Sequence, residues 1–118
     1  MTWFKVDDSL AFHPKVLTAG NAAMGLWVRA GSLASQILSD GLVSTDMARQ
    51  IGTPAQVTRL LHAGLWIPDA AGYRFHEWSA GGRNPTRQQV EARRDADAER
   101  IRKWREQRAA NGALDPPL

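Results

Sequence analysis

Only Gly52 and Thr53 separate two short helical patterns, and no other feature of the chain constrains its fold more. Before them, Ser44 or Thr45 stands as a cap ahead of Met47, Ala48 and Ile51, with Gly52 past the end. After them, Thr53 is a cap and Pro54 a first-turn residue. Val57, Leu60 and Leu61 make the apolar stripe, and Gly64 terminates it. Helices joined so tightly cannot run collinearly and must cross steeply. Two runs of strand formers follow, Leu65-Trp66-Ile67 and Tyr73 to Trp78, around a loop of Pro68-Asp69-Ala70-Ala71-Gly72. Tyr73 and Phe75 alternate with Arg74 and His76, so one face is expected buried and one wet, with His76 and Glu77 pointing apart.

Upstream, Trp3-Phe4-Lys5-Val6 reads as a short strand ended by Asp7-Asp8. Pro14 opens a helix of one or two turns that stops at Gly20. Asn21 is the expected cap of a longer helix, whose apolar residues Ala23, Leu26, Trp27, Ala30, Leu33, Ala34 and Ile37 recur at helical spacing. Gly25 and Gly31 each weaken it by about 1 kcal/mol relative to Ala, and close approach of another backbone is the expected compensation. Ser39-Asp40-Gly41 is a turn and Leu42-Val43 a minimal strand. The expected class is therefore mainly α with a small β-hairpin (α+β): a winged helix-turn-helix over residues 1–78, then a long basic C-terminal helix. Residues 79–86 are a linker by composition, residues 87–110 a helix capped by Thr86, and residues 111–118 a disordered tail.

Charge is distributed unevenly. Residues 1–82 balance six basic groups with six acidic ones, whereas residues 83–110 carry nine basic against five acidic. A neutral, aromatic-rich body with a basic extension suggests a domain plus an electrostatic arm. The absence of cysteine excludes a disulfide framework and thiolate metal sites, and suits a reducing cytoplasm. No apolar run reaches the roughly 18 residues of a membrane helix, so no membrane partner is expected. An acidic N-terminus without an apolar h-region argues against a secretory signal.

The helix from Pro54 to Ala63 is the candidate reader of nucleic acid. Opposite its apolar stripe lie Ala55, Gln56, Arg59 and His62. Gln56 and Arg59, three apart, are the residue types that fit adenine and guanine edges. Thr53 sits where a helix N-terminus can meet a phosphate. Arg49 and Gln50 on the preceding helix, and Arg74 on the wing, would reach the backbone. In the tail, Arg87, Arg93, Arg94, Arg100, Arg102, Lys103 and Arg105 would add affinity without sequence preference. The bland alternative is a solvated face, and in the tail a self-paired one. There Glu91 precedes Arg94, Asp97 precedes Arg100, and Glu99 precedes Arg102 and Lys103 at pairing distance. Ile101 and Trp104 are apolar exceptions that either dock on the body, the blander reading, or bind a partner. Asp97 interrupts any heptad. Catalysis lacks support: His13, His62 and His76 lie on three separate elements, and Asp7-Asp8 reads as a turn. No enzyme activity, cofactor or metal is expected.

Four stretches carry a resemblance: Trp3-Phe4-Lys5-Val6-Asp7-Asp8, Asp40-Gly41-Leu42-Val43, Ala63-Gly64-Leu65-Trp66 and Gly72-Tyr73-Arg74-Phe75-His76-Glu77-Trp78. They resemble small winged-helix proteins of actinobacteriophages and their hosts. More distantly they resemble the N-terminal winged-helix domain of phage replisome organisers and DnaD-like replication initiators. The resemblance spans about residues 2–108 and rests on turn glycines and core tryptophans. It implies a DNA-binding winged helix of phage or prophage origin, at work in the cytoplasm of a bacterial host cell. Double-stranded DNA is the expected partner; a host or phage replication or transcription protein and a second copy of the chain are further candidates. The chain departs from the longer initiators in lacking a second globular domain, which points to an accessory or regulatory role.

Overall fold

A computed structural model describes residues 2–111. In chain order the elements are α1 (Pro14–Ala19), α2 (Asn21–Ile37), β1 (Leu42–Ser44), α3 (Thr45–Ile51), α4 (Pro54–Ala63), β2 (Trp66–Asp69), β3 (Gly72–Phe75) and α5 (Arg87–Asn111). Short 3-10 turns lie at Leu10–Phe12 and Ala80–Gly82. The chain divides into two units, one ending at Arg87 and one beginning at Gln88.

The first unit is a winged helix-turn-helix. Ser44 caps α3 by accepting from the Met47 amide at 3.1 Å. The corner between α3 and α4 consists of two extended residues, Gly52 (φ −151°, ψ −177°) and Thr53 (φ −108°, ψ 158°), which redirect the chain in a single step. Gly52 adopts no left-handed conformation here. A Cβ on it would meet the Leu26 methyls of α2 at 2.7 Å, so glycine at this corner serves close packing. The three strands form an antiparallel sheet in the order β1-β3-β2, with Val43 opposite Tyr73 and Trp66 opposite Phe75. The hairpin is tighter than the sequence suggested. Pro68 and Asp69 belong to β2, where an edge strand tolerates proline, and only Ala70 and Ala71 form the turn.

The core gathers Leu26, Trp27, Ala30 and Ala34 of α2, Val43, Ala48, Val57 and Leu60, and Trp66, Phe75 and Trp78. Phe4 packs among the aromatic members, with ring centroids 4.9 Å from Trp27, 5.7 Å from Phe75 and 5.6 Å from Trp78. Its segment is not the expected strand. The Lys5 amide donates instead to the Asn84 side-chain oxygen at 3.0 Å, and Asn84 Nδ2 donates to the Trp78 carbonyl at 3.0 Å. Asn84 is buried, so residues 79–86 are part of the first unit rather than a linker. Gly41 turns with φ 82°, and a Cβ there would strike the Trp78 side chain at 2.9 Å.

Other expectations need correction. The α2 cap position is Gly20, with no side-chain cap bond, and Asn21 is already helical. Glu77 takes a left-handed φ of 53°, which ends the alternation after Phe75. Its carboxylate lies 3.4 Å from His76 Nε2 rather than on the opposite face. Asn111 is the last residue of α5, and the rest of the expected tail lies outside the described residues. No described helix is long and apolar enough to cross a membrane.

The two α2 glycines also differ. Gly31 faces the Phe4 ring, 2.4 Å from where a Cβ would stand, so a ring and not a backbone occupies the space. Gly25 is exposed with nothing within 4 Å of that position. Gly31→Ala is therefore expected to destabilise by about 1–3 kcal/mol through overpacking. Gly25→Ala is expected to stabilise by roughly 0.5–1 kcal/mol through backbone entropy. Urea unfolding of the two variants checks this, and equal effects would contradict the wedge.

Candidate nucleic-acid interface

Local hydrogen bonding decides what α4 can offer. Thr53 Oγ1 accepts from the Gln56 amide at 3.2 Å, while Gln56 Oε1 accepts from the Thr53 amide at 2.7 Å. This reciprocal capping box satisfies two of the donors that a helix start leaves over. Pro54 has no N–H, so of the first turn only the Ala55 amide lies outside the box. The phosphate seat expected at Thr53 is thus largely closed.

Gln56 is engaged at its other end as well. Its Nε2 donates to the Ala22 carbonyl of α2 at 2.9 Å, and the residue is half-buried. The expected Gln56 and Arg59 pair therefore does not face outward together. Gln56 is a tether between α4 and α2, and its assignment as a base reader is corrected. Arg59 and His62 remain exposed on α4, and Arg59 has no carboxylate partner among the described residues. Thr58 Oγ1 donates back to the Pro54 carbonyl at 2.9 Å.

The other cations of the first unit are mostly engaged. Arg49 lies 3.9 Å from Asp46, with Gln50 exposed beside it. Arg29 Nη1 donates to the Ile51 carbonyl at 3.3 Å, and Arg83 stands 4.0 Å from Asp7. On the wing, Arg74 grips Asp69 through Nε at 3.3 Å and Nη2 at 3.2 Å. The Ala71 amide, followed by Arg74, holds the Asp69 carboxyl below the ordinary aspartate range. A depressed carboxylate contributes above its unfolded pKa, and the contribution is lost as pH falls through the folded value. At neutral pH the wing arginine is therefore neutralised. Sequence reasoning missed Asp69 as that partner, although its place at the turn before Gly72 was visible.

A cleft of about 200 Å³ also lies in this unit, lined among others by Asp7, His13, Lys15, His76 and Glu77. It brings together two histidines that sequence reasoning left on separate elements. His13 Nδ1 accepts from the Lys15 amide at 3.2 Å as the cap of α1. Among the described residues no group of three or more His, Cys, Asp or Glu could hold a metal.

Helix α5 begins with the Arg87 amide donating to Asp40 at 2.5 Å, a carboxylate at a helix start. Further along, its cations separate into two sets. Arg100 pairs with Asp97 at 3.2 Å. Arg102 bonds Glu99 and also Glu106, the latter at 2.7 Å, and Lys103 stands 4.0 Å from Glu99. Arg93, Arg94, Arg105 and Arg108 have no carboxylate partner among the described residues, so the expected Glu91 and Arg94 pair is not formed. Ile101 and Trp104 are exposed, and the Arg108 guanidinium lies 5.1 Å from the Trp104 ring centroid.

In comparison with known proteins, the chain matches no family model, no curated protein and no solved structure.

Asp69→Asn tests the neutralised wing. Releasing Arg74 is expected to tighten duplex DNA binding about two- to threefold at low salt, since exposed pairs hold little stability but mask a charge. Unchanged affinity in a fluorescence anisotropy titration would show that Arg74 makes no approach to phosphate. Gln56→Ala is expected to cost about 1–2 kcal/mol of stability through loss of the cap and the tether, while base preference measured on a panel of duplexes stays the same.

Proposed function

We propose that the chain binds nucleic acid, primarily duplex DNA. In this reading it is a phage-type winged-helix protein of the bacterial cytoplasm, with an accessory or regulatory role in replication or transcription. The observation that carries the reading is the presentation of α4. The corner at Gly52 and Thr53 turns this helix so that Val57 and Leu60 are buried, while Arg59 and His62 stand exposed with no competing carboxylate on Arg59. Arg59 can make the bidentate contact that guanidinium forms with a guanine edge or a phosphate. Arg49 and Gln50 on α3 would meet the flanking backbone.

The first unit would bind weakly alone, because Arg29, Arg49, Arg74 and Arg83 already have partners. The unpaired arginines of α5 would add the sequence-independent share of affinity through counterion release. A second reading takes the chain as a protein-interaction module that grips a host or replisome protein through Ile101 and Trp104. The exposure of those two side chains favours it.

The test is a salt titration of full-length chain on duplex DNA. Four or five phosphate contacts predict a log–log slope of roughly −4. Arg59→Ala is expected to lower discrimination between preferred and random duplexes by about 1–3 kcal/mol. Affinity indifferent to both salt and Arg59 would refute the DNA reading and leave the protein partner.

A further inference from the structure

The unpaired arginines of α5 are not scattered around it. At about 100° per residue, Arg93, Trp104, Arg108, Ile101, Arg94 and Arg105 fall, in that angular order, within an arc of roughly 120°. Asp95, Glu99 and Glu106 fall outside that arc, as do the paired cations Arg100, Arg102 and Lys103. The one acid inside it, Asp97, is neutralised by Arg100 at 3.2 Å. One face of α5 therefore combines four uncompensated guanidinium groups with the two exposed apolar side chains of the helix. Trp104 is 55% exposed even with Arg108 over its ring.

We infer that this face of α5 is a binding site for single-stranded nucleic acid, in which an unpaired base stacks on the Trp104 indole, Arg105 holds the adjoining phosphate, and Arg93 and Arg94, about 15–17 Å along the helix axis, hold phosphates further along the same strand. The inference rests on the proposed function only in taking nucleic acid as the ligand. The size of the apolar surface selects this occupant. Two apolar side chains alone do not supply a protein interface of about 800 Å² per partner, so a protein partner would need surface beyond this face, and they are too few for the broad apolar face of a membrane-surface helix. A stacking contact needs one ring, and arginines beside it supply both phosphate contacts and cation–π support. Single strands are favoured over duplex because their bases have open π-faces, whereas duplex bases are already stacked. Arg108 would remain on one side of the indole with the base on the other. Ile101, one turn away, borders a shallow open depression shared with Ala98, Arg105 and Ala109 and edged by the mutually paired Arg102 and Glu106, where a second base can rest.

Fluorescence anisotropy of the full chain against a labelled oligothymidylate strand and a duplex of equal length tests this. Trp104→Ala is expected to weaken single-strand binding about tenfold, within the range for loss of one stacked base. Trp104→Phe should keep most of the affinity, and duplex binding should change less than threefold. Replacing Arg93, Arg94, Arg105 and Arg108 by Gln should weaken single-strand binding far more than replacing Arg100, Arg102 and Lys103. Single-strand affinity indifferent to Trp104→Ala overturns the inference, as does an equal loss on duplex. If single strands bind with that Trp104 dependence but duplex binding ignores Arg59, the winged-helix reading fails and this one stands; the reverse pattern rejects this one alone. Binding to neither nucleic acid, with Trp104 needed for a protein partner, overturns both.

Discussion

The carboxamide of Gln56 sets what the helix-turn-helix can present. Its oxygen closes the capping box with Thr53, and its nitrogen reaches the Ala22 carbonyl. One neutral side chain thus fixes both the start of α4 and its attachment to α2. Because that side chain points inward, the exposed side of α4 is reduced to Arg59, His62 and small neighbours. A helix tethered at its N-terminus and buried along Val57 and Leu60 has little freedom to rotate. Arg59 is therefore held by the scaffold rather than by a partner of its own.

The same economy governs the charges. Most arginines of the first unit are bound to a carboxylate or a backbone carbonyl, which suits a neutral body whose surface pairs contribute little to stability. On α5 the pairing is incomplete and one-sided. Residues three and four apart neutralise one another around Glu99, while the side holding Trp104 keeps its positive charge. A helix whose charges simply solvated it would not need that separation. The division lets α5 be a stable exposed helix and a cationic surface together.

Much of the architecture was legible because its signals are local. Ser44, Thr53 and Pro54 mark helix starts, Gly64 marks a stop, and the alternation from Tyr73 to Phe75 marks a strand. The errors arose where distant contacts decide. Nothing near Trp3 or Phe4 reveals that Asn84 takes the Lys5 amide and replaces a strand partner. Gly25 and Gly31 look alike in sequence, yet only Gly31 lies under the Phe4 ring. Gln56 was misread although its signal was present, since Thr followed three residues later by Gln is a capping box. Helical face geometry alone assigned it outward. The wing arginine was overvalued for a related reason: Asp69, placed in the loop by sequence, sits on β2 within reach of Arg74.

The presentation of α4 is open to direct observation. Amide NMR of the full chain during titration with duplex DNA should move the Arg59 and His62 signals most within α4, followed by Arg49 and Gln50. The side-chain amide of Gln56 should stay in place, still bonded to Ala22. A shift of the Gln56 carboxamide signals with those of Arg59 unmoved would contradict the arrangement proposed for this helix.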